Sequence, residues 1–423
     1  MLHNLTEFLN NSWTAYHAQE SVRKRFIENG FIALKETDDW EVCEGGKYFV
    51  ERNGALIAFT VGGLDNFSYK IGAAHFDSPA LKLKENPQMH ANGYITLNTE
   101  PYGGGIWYSF FDRPLKIAGQ VVKNENGRLY TQTVTSSFTV TIPSQAAHIN
   151  REVNDKFSVN PQIDLAPLYA LDSGDTRSII ERVAGEDVVA YDLFAVSAET
   201  PYFFGANEEF IASPRIDNLT SVFAITEGLL GAAASDGICV GAFFNNEEIG
   251  NQTLAGAAGD FLENTLKRIA YALRFDESEY YKALASSFFL SVDNAHAQHP
   301  AHPEKCDPTN KTKLGGGVVI KSHAKGAYIT GSISSAVVKT VFEKAGVKYQ
   351  HFFNRSDMRS GGTLGVSATT RLSMHGADIG LAQLAMHSAC ECFACADYTE
   401  LANGLTAFYS SDLLCEDGGI LIR

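Results

Sequence analysis

The chain has 423 residues, more than one compact core usually contains, so two domains are expected. Its 45% hydrophobic residues and 37 glycines are typical of an α/β protein, and the formal net charge of −15 argues against nucleic acid as a partner. No run of about 18 apolar residues predicts a membrane span, and no basic segment followed by an apolar run predicts a signal peptide. Seven cysteines at irregular spacing, including Cys390, Cys392 and Cys395, predict free thiols in a cytoplasmic protein.

The N-terminal segment predicts helices followed by strands. Apolar residues at helical spacing predict one or two amphipathic helices over residues 3–30. Asn53-Gly54 lies at the centre of residues 48–59 and predicts a β-hairpin. Residues 68–74 predict a further strand, which leads directly into His75-Phe-Asp-Ser-Pro79. Side chains that can bind a metal therefore follow the end of a strand.

Residues 80–145 change to a β-rich pattern. Alternating polar and apolar residues predict strands at 128–134 and 137–142. The triplet Gly103-Gly-Gly105 breaks the alternation, and it lacks the Gly-Lys-Ser/Thr ending of a phosphate loop. We interpret residues 86–206 as a second domain inserted into the α/β pattern.

The α/β pattern resumes near Glu208. A helix is predicted at residues 218–230, a buried strand at 237–244 and a long helix at 252–273. The remaining predictions are strands at residues 286–292, 317–320 and 349–353 and helices at 333–345 and 406–414.

The organising feature of the sequence is the pair Glu247-Glu248, directly after the predicted buried strand. The carboxyl ends of strands are where open α/β sheets bind their ligands. Two adjacent anions near a dry core cost several kcal/mol each unless a positive charge compensates them. The nearest basic residues in sequence are Arg215 and Lys267, so a bound cation is the expected counter-charge.

Histidine and acidic residues recur at other element ends. Imidazole and carboxylate ligands without thiolate suit hydrolytic Zn²⁺ or a related divalent ion, and two such ions can share one carboxylate. Taken singly, Asp217 could instead cap the following helix and Asp293 could be a turn residue. The candidates are His75, Asp77, Asp217, Glu247, Glu248, Asp293 and His387.

Five motifs in order carry a resemblance to a known family. They are His75-Phe-Asp-Ser-Pro79, Arg215-Ile-Asp-Asn218, Asn246-Glu-Glu-Ile-Gly250, Asp293-Asn-Ala-His-Ala-Gln-His-Pro300 and Met386-His-Ser388. Together they resemble the M18 metallo-aminopeptidases, the aspartyl aminopeptidases. The resemblance implies a catalytic domain of the di-zinc exopeptidase type over residues 1–85 and 207–423, with a mixed central sheet flanked by helices. It also implies a β-rich dimerisation domain over residues 86–206 and assembly of dimers into a tetrahedral particle of twelve subunits.

The resemblance also implies a role for each motif residue. His75 and Asp293 resemble ligands of one metal, Glu248 and His387 resemble ligands of a second, and Asp217 resembles the carboxylate that bridges them. The ions are expected to be Zn²⁺, with Mn²⁺ or Co²⁺ as alternatives.

The remaining implied roles concern catalysis and substrate. Glu247 resembles the general base and Asp77 the carboxylate that orients His75. His148 resembles the histidine that reaches a neighbouring subunit's active site, where it stabilises an oxyanion. Lys325 is the candidate for binding an acidic side chain at the N-terminus of a substrate.

The predicted activity is removal of N-terminal residues, acidic ones above all, from small peptides. Two alternatives differ from it. One is another di-metal amidohydrolase, such as a carboxypeptidase or a deacylase, and the other is a non-catalytic oligomeric relative. The intact Glu247 disfavours the second, because a scaffold has no need of a base beside its metal ligands.

Overall fold

The computed structural model describes residues 1–173, 177–416 and 419–423. The helices in these ranges are α1 (Leu2–Asn11), α2 (Ala15–Glu28), α3 (Pro161–Asp164), α4 (Ile179–Ala184), α5 (Ile216–Gly231), α6 (Phe261–Ala272), α7 (Glu277–Ala285), α8 (Ser332–Ala345), α9 (Leu364–Leu372) and α10 (Cys395–Ser410). The strands are β1 (Ile32–Leu34), β2 (Lys47–Arg52), β3 (Ala55–Val61), β4 (Tyr69–His75), β5 (Ala80–Ala91), β6 (Tyr94–Tyr102), β7 (Leu115–Glu125), β8 (Arg128–Thr135), β9 (Leu168–Leu171), β10 (Val188–Ser197), β11 (Tyr202–Phe204), β12 (Phe210–Ser213), β13 (Ile238–Phe244), β14 (Phe288–Val292), β15 (Ala295–His296), β16 (Val318–Lys321), β17 (Tyr349–Phe352), β18 (His375–Gly380), β19 (Ala382–Leu384), β20 (Glu391–Ala394), β21 (Leu413–Glu416) and β22 (Gly419–Ile422).

A mixed nine-stranded sheet forms the centre of the molecule, in the order β1-β2-β3-β13-β4-β14-β18-β16-β17. Its middle strands β13, β4, β14 and β18 run parallel, so their carboxyl ends meet at one edge. Every residue of β4, β13 and β14 is buried. This complete burial follows from helices that cover both faces of a parallel sheet.

Two separate helical layers provide that cover. Helices α1, α2, α5, α8 and α10 contribute to the apolar core on one face, which includes Phe26, Val222 and Tyr398. Helices α6, α7 and α9 contribute to the core on the other face, which includes Phe261 and Tyr280. The architecture is thus a three-layer α/β/α arrangement, as the α/β prediction requires.

A six-stranded antiparallel sheet, in the order β8-β7-β10-β5-β6-β9, is formed within residues 80–197. It has its own core, which includes Leu97, Ile117 and Leu193, with Ile179 of helix α4 packed into it. The predicted β-rich segment therefore forms a sheet of its own. Its definition as an inserted domain over 86–206 stays a prediction, and residues 174–176 of that range lie outside the described residues.

A five-stranded sheet, in the order β11-β12-β20-β19-β15, is formed by strands between Tyr202 and Ala394. Among the helices of the described residues, none combines the length and apolar composition that crossing a bilayer requires. All seven cysteines are described and are free thiols, as their spacing predicts.

Most predicted elements are confirmed, including the two N-terminal helices and the hairpin, in which Asn53 and Gly54 both have positive φ. Three predictions are wrong in extent. The helix at 252–273 begins only at Phe261, because the chain turns back on itself at Gly256, where a Cβ would lie 2.1 Å from the Asn251 carbonyl oxygen. The segment 137–142 forms isolated bridges, not a strand. The last helix spans Cys395–Ser410, because the following residues pair as the hairpin β21–β22.

His17 of α2 joins the helical layer to the six-stranded sheet. Its ring nitrogens lie 2.9 Å from the Thr14 hydroxyl and 2.8 Å from the Thr135 hydroxyl of β8. Burial, and then the charge of Arg215, lower the pKa of His17 from 6.5 to about 4. Between these values the unfolded chain binds more protons than the folded chain, so the free energy of unfolding decreases as the pH falls.

We predict that His17→Gln removes this part of the pH dependence. Between about pH 7 and about pH 5 the unmodified protein should lose about 2 kcal/mol more than the variant. Urea unfolding of both proteins at the two pH values measures the difference. Equal losses would contradict a partly buried His17 that is uncharged in the folded protein.

Candidate active site

Three neighbouring strands of the central sheet end on acidic or imidazole side chains. His75 is the last residue of β4, Glu247 and Glu248 follow β13, and Asp293 follows β14. Because the three strands are parallel, these side chains meet at one edge, as the sequence predicts. A cavity of about 300 Å³ opens there and is lined by all four residues together with Asp217 and His387.

Asp217 lies between the other ligand candidates. It is at the start of α5, where its φ of −81° and ψ of 108° depart from helical geometry. Its Oδ1 is 3.8 Å from Nε2 of His75, and its Oδ2 is 3.4 Å from Nε2 of His387. One carboxylate therefore presents a different oxygen to each of the two histidines.

The candidate ligands divide into two groups that share Asp217. One group is His75, Asp217 and Asp293, and the other is Asp217, Glu248 and His387; within each, the ligand atoms lie within 4.8 Å of one another. In both histidines Nδ1 donates to a backbone carbonyl at 3.0 Å, from His75 to Asp77 and from His387 to Gly104. Nε2 of each ring is thereby left for a metal.

The electrostatics of the cavity favour bound cations. Burial is the first cause that raises the pKa of Glu248 and of Asp293, and burial also raises the pKa of Glu247 to about 7. Although burial opposes protonation of His387, Asp217 and Glu248 raise its pKa to about 10. The acidic groups thus favour the protonated, positively charged form of the neighbouring imidazole. A metal ion would supply positive charge in place of that proton.

Unsatisfied atoms point to the same conclusion. Within the described ranges, Oδ1 of Asp217 and Oε1 of Glu248 are buried and have no hydrogen-bond partner. Leaving a buried carboxylate oxygen unpaired is costly, and a metal ion would remove the cost. The donor set of imidazole nitrogens and carboxylate oxygens suits Zn²⁺, so the residues present fit a metal centre.

Asp77 holds the turn that carries the two glutamates. Its Oδ1 accepts from the Glu247 amide and its Oδ2 from the Glu248 amide, both at 3.1 Å. The Tyr102 hydroxyl also donates to Oδ2, at 2.8 Å. Its carboxylate lies 3.4 Å from Nδ1 of His75, farther than the Asp77 carbonyl. The contact of Asp77 with His75 therefore runs chiefly through its backbone, and its carboxylate positions the glutamate turn.

The glycine triplet after β6 lies against the site, a contact that the sequence did not predict. The Gly104 carbonyl accepts from His387, and the Ile106 amide donates to the His387 carbonyl at 2.8 Å. Gly103 has a φ of 74°, and a Cβ there would lie 3.0 Å from Cβ of Glu248. The break in alternation at Gly103-Gly-Gly105 was the signal that could have identified this approach.

Asp77 does not line the cavity, and two further predicted residues lie outside it and are exposed in the single chain. His148 is exposed in a turn, and Lys325 is exposed in the turn after β16. The lysine that lines the cavity is Lys321, the last residue of β16. It is 2% exposed, and its Nζ lies 3.7 Å from Oδ2 of Asp293. The strand carries Lys321 into the site, whereas the turn leaves Lys325 in solvent.

Comparison with known proteins identifies the family. The family described as "Aminopeptidase I zinc metalloprotease (M18)" matches residues 8–409. The chain belongs to the M18 family of metallo-aminopeptidases. It is therefore a hydrolase of the class that acts on peptide bonds. The family resemblance carried by the five motifs is confirmed.

Individual relatives agree over almost the whole chain. A "Probable M18 family aminopeptidase 2" of Clostridium acetobutylicum is 39% identical over 422 residues, covering 96% of this chain and 98% of the relative. A solved structure titled "Cryo-EM structure of the Ape4 and Nbr1 complex" is 31% identical with a TM-score of 0.92, covering 96% of this chain and 85% of that one. The S. cerevisiae mApe1 dodecamer shares the fold at 23% identity and a TM-score of 0.81, with 96% and 95% covered.

Two neighbouring glycines of the M18 chain should respond differently to alanine. Gly103→Ala places a Cβ against Glu248 and forces a left-handed residue, whereas a Cβ at Gly104 would meet only Nδ1 of His387 at 3.9 Å. We predict that Gly103→Ala lowers stability by about 1 kcal/mol and weakens zinc binding, while Gly104→Ala retains both. Thermal unfolding and zinc competition with a chelator measure these effects. The same response from both variants would contradict the contact between Gly103 and Glu248.

Proposed function

We propose that this M18 protein is a di-metal aminopeptidase that prefers acidic N-terminal residues. The observation that carries the proposal is the position of Asp217, whose two oxygens face His75 and His387 separately. A carboxylate in this position suits a bridge between two ions, with His75 and Asp293 on one side and Glu248 and His387 on the other. Two divalent ions, Zn²⁺ by family and Mn²⁺ or Co²⁺ as alternatives, would polarise the scissile carbonyl and lower the pKa of water when bound.

Glu247 is proposed as the general base. It lines the same cavity as the ligand candidates, and it is not a member of either ligand group. Its carboxylate would take a proton from the attacking water and pass that proton to the leaving amine. Asp77 supports this role because it accepts a hydrogen bond from the Glu247 amide and so fixes the backbone from which the Glu247 side chain extends.

The acidic preference rests on charge in the cavity. Among the described residues that line it, Lys321 is the one with a permanent positive charge. Its Nζ also donates to the Asn294 carbonyl at 3.1 Å and lies 5.2 Å from the centre of the Tyr328 ring. A substrate carboxylate that reached Lys321 would gain a charge-assisted hydrogen bond. Lys325, which the sequence pattern favoured, is the alternative and is exposed.

Homo-oligomeric assembly and a cytoplasmic location complete the proposal. The relative mApe1 is described as a dodecamer. His148 is exposed, a position compatible with reaching the active site of a neighbouring subunit and stabilising an oxyanion there. The free thiols are consistent with a reducing compartment.

Glu247→Gln tests the base. The variant should retain fold and metal content, because Glu247 is outside both ligand groups, and kcat should fall by about 10²–10⁴. Glu304→Gln, at an exposed acidic residue, is the matched control and should keep full activity. Turnover is measured on an aminoacyl substrate with metal content determined in parallel. Full activity of metal-loaded Glu247→Gln would exclude the assignment.

A kinetic panel tests the substrate class. Free Asp-, Glu- and Leu-substrates and their N-acetylated forms should be compared, since an aminopeptidase rejects a blocked amine whereas a deacylase accepts it. Lys321→Met should lower the ratio of kcat/KM for Asp over Leu about tenfold, and Lys325→Ala should leave it unchanged. Because Lys321 lies close to Asp293, the metal content of each variant is measured to show whether the substitution has altered metal binding. The reverse pattern would assign the preference to Lys325, and an unaltered ratio in both variants would remove lysine from the explanation.

A further inference from the structure

A buried carboxylate that belongs to neither ligand group joins two of the ligand residues. Glu391 is the first residue of β20 and is 2% exposed. Its Oε2 accepts from the Asp217 amide at 2.9 Å, and its Oε1 accepts from the His387 amide at 2.6 Å. One side chain thus contacts the backbones of two residues that are far apart in sequence.

Both amides need this acceptor because of their local conformation. Asp217 does not have helical φ and ψ angles. His387 has a φ of 68°, in the left-handed region that residues other than glycine rarely adopt. Buried backbone N–H groups without a partner are costly, so a carboxylate that pairs both of them stabilises the two conformations together. The imidazole of His387 is held separately by the Gly104 carbonyl.

The five-stranded sheet explains why Glu391 reaches both residues. β20 pairs with β12, with Glu391 opposite Ser213, and β12 leads directly to Asp217. On its other side β20 pairs with β19, and His387 lies in the connection between these two strands. The sheet therefore fixes the backbones of Asp217 and His387 relative to each other. Glu391, at the start of β20, adds a hydrogen bond to each of these two backbones.

We infer that Glu391 is a positioning residue: it sets how tightly the group Asp217, Glu248 and His387 binds a metal ion. It contacts neither substrate nor metal in this role and acts through the two backbones. The inference rests on the proposed di-metal function. In this role the five-stranded sheet holds Asp217, the proposed bridging carboxylate, and His387 at a fixed separation.

The test is metal binding by Glu391→Gln. A glutamine has one acceptor oxygen where glutamate has two, and its NH₂ group would face one of the amide donors. The variant should bind the second ion about 10- to 100-fold more weakly, as is usual when a group that supports a ligand is lost. Chelator competition with Zn²⁺ gives the affinity, and the visible absorption of the Co²⁺-loaded protein reports the geometry without any assay of activity.

Asp397→Asn is the matched control. Asp397 is fully buried on α10, and its two oxygens accept from the Gly315 and Gly317 amides, each at 2.8 Å. It does not line the metal cavity. Asp397→Asn also leaves one backbone N–H donor unpaired, so it should lower the thermal unfolding midpoint of the metal-free protein about as much as Glu391→Gln does. It should leave the metal affinity and the Co²⁺ spectrum unchanged.

The outcomes separate the possible explanations. Weakened binding in Glu391→Gln alone supports the inference, whereas unchanged binding in that variant, or equal weakening in both, overturns it. If Glu391→Gln does not fold, Glu391→Asp retains two acceptor oxygens on a shorter side chain and should weaken the second ion in the same direction; unaltered affinity in Glu391→Asp then overturns the inference. Failure of the unmodified protein to bind two ions would instead overturn the proposed function.

Discussion

The structure depends on the concentration of negative charge at the edge of its central sheet. Asp217, Glu248 and Asp293 are brought together in one cavity with the acidic side chain of Glu247 beside them. Removing each charge from water costs several kcal/mol, and the like charges repel one another. Lys321 balances only a part of this charge, and the imidazoles of His75, His296 and His387 are the remaining basic groups among the described residues that line the cavity. Divalent cations are the compensation that this donor set is suited to bind, and their binding would stabilise the folded chain.

Each sheet makes a different contribution to this centre. The nine-stranded sheet supplies His75, the glutamate pair and Asp293 at the ends of its parallel strands. The five-stranded sheet sets the positions of Asp217 and His387 through β12, β19 and β20. The six-stranded sheet adds the Tyr102 hydroxyl, and the segment after its strand β6 adds the Gly104 carbonyl; these groups hold Asp77 and His387. The β-rich segment is thus a structural part of the candidate metal site in its own chain.

The errors of the sequence interpretation have physical causes. The apolar pattern after Gly250 is compatible with a helix, yet Gly256 and the contact of the Asn245 amide with the Ala255 carbonyl fold that segment back on the site. Lys325 and Lys321 are both close to the predicted strand, and sequence separation does not say which one lies on the strand and which in the turn. The role of Glu391 arises from a contact with Asp217 across 174 residues, and that of Tyr102 from a contact with Asp77 across 25 residues. Neither contact lies within one local motif.

The sequence by itself determined which residue types stand at the ends of which strands. That was enough to predict the α/β class, the family and the set of candidate ligands, because strand ends and local motifs are read along the chain. Only the tertiary structure decided that Asp217 lies between the two histidines, that Lys321 lines the cavity and that the glycine segment after β6 supports His387. These relations depend on strand order and on the packing of distant segments, and neither is encoded in the spacing of residues within one motif.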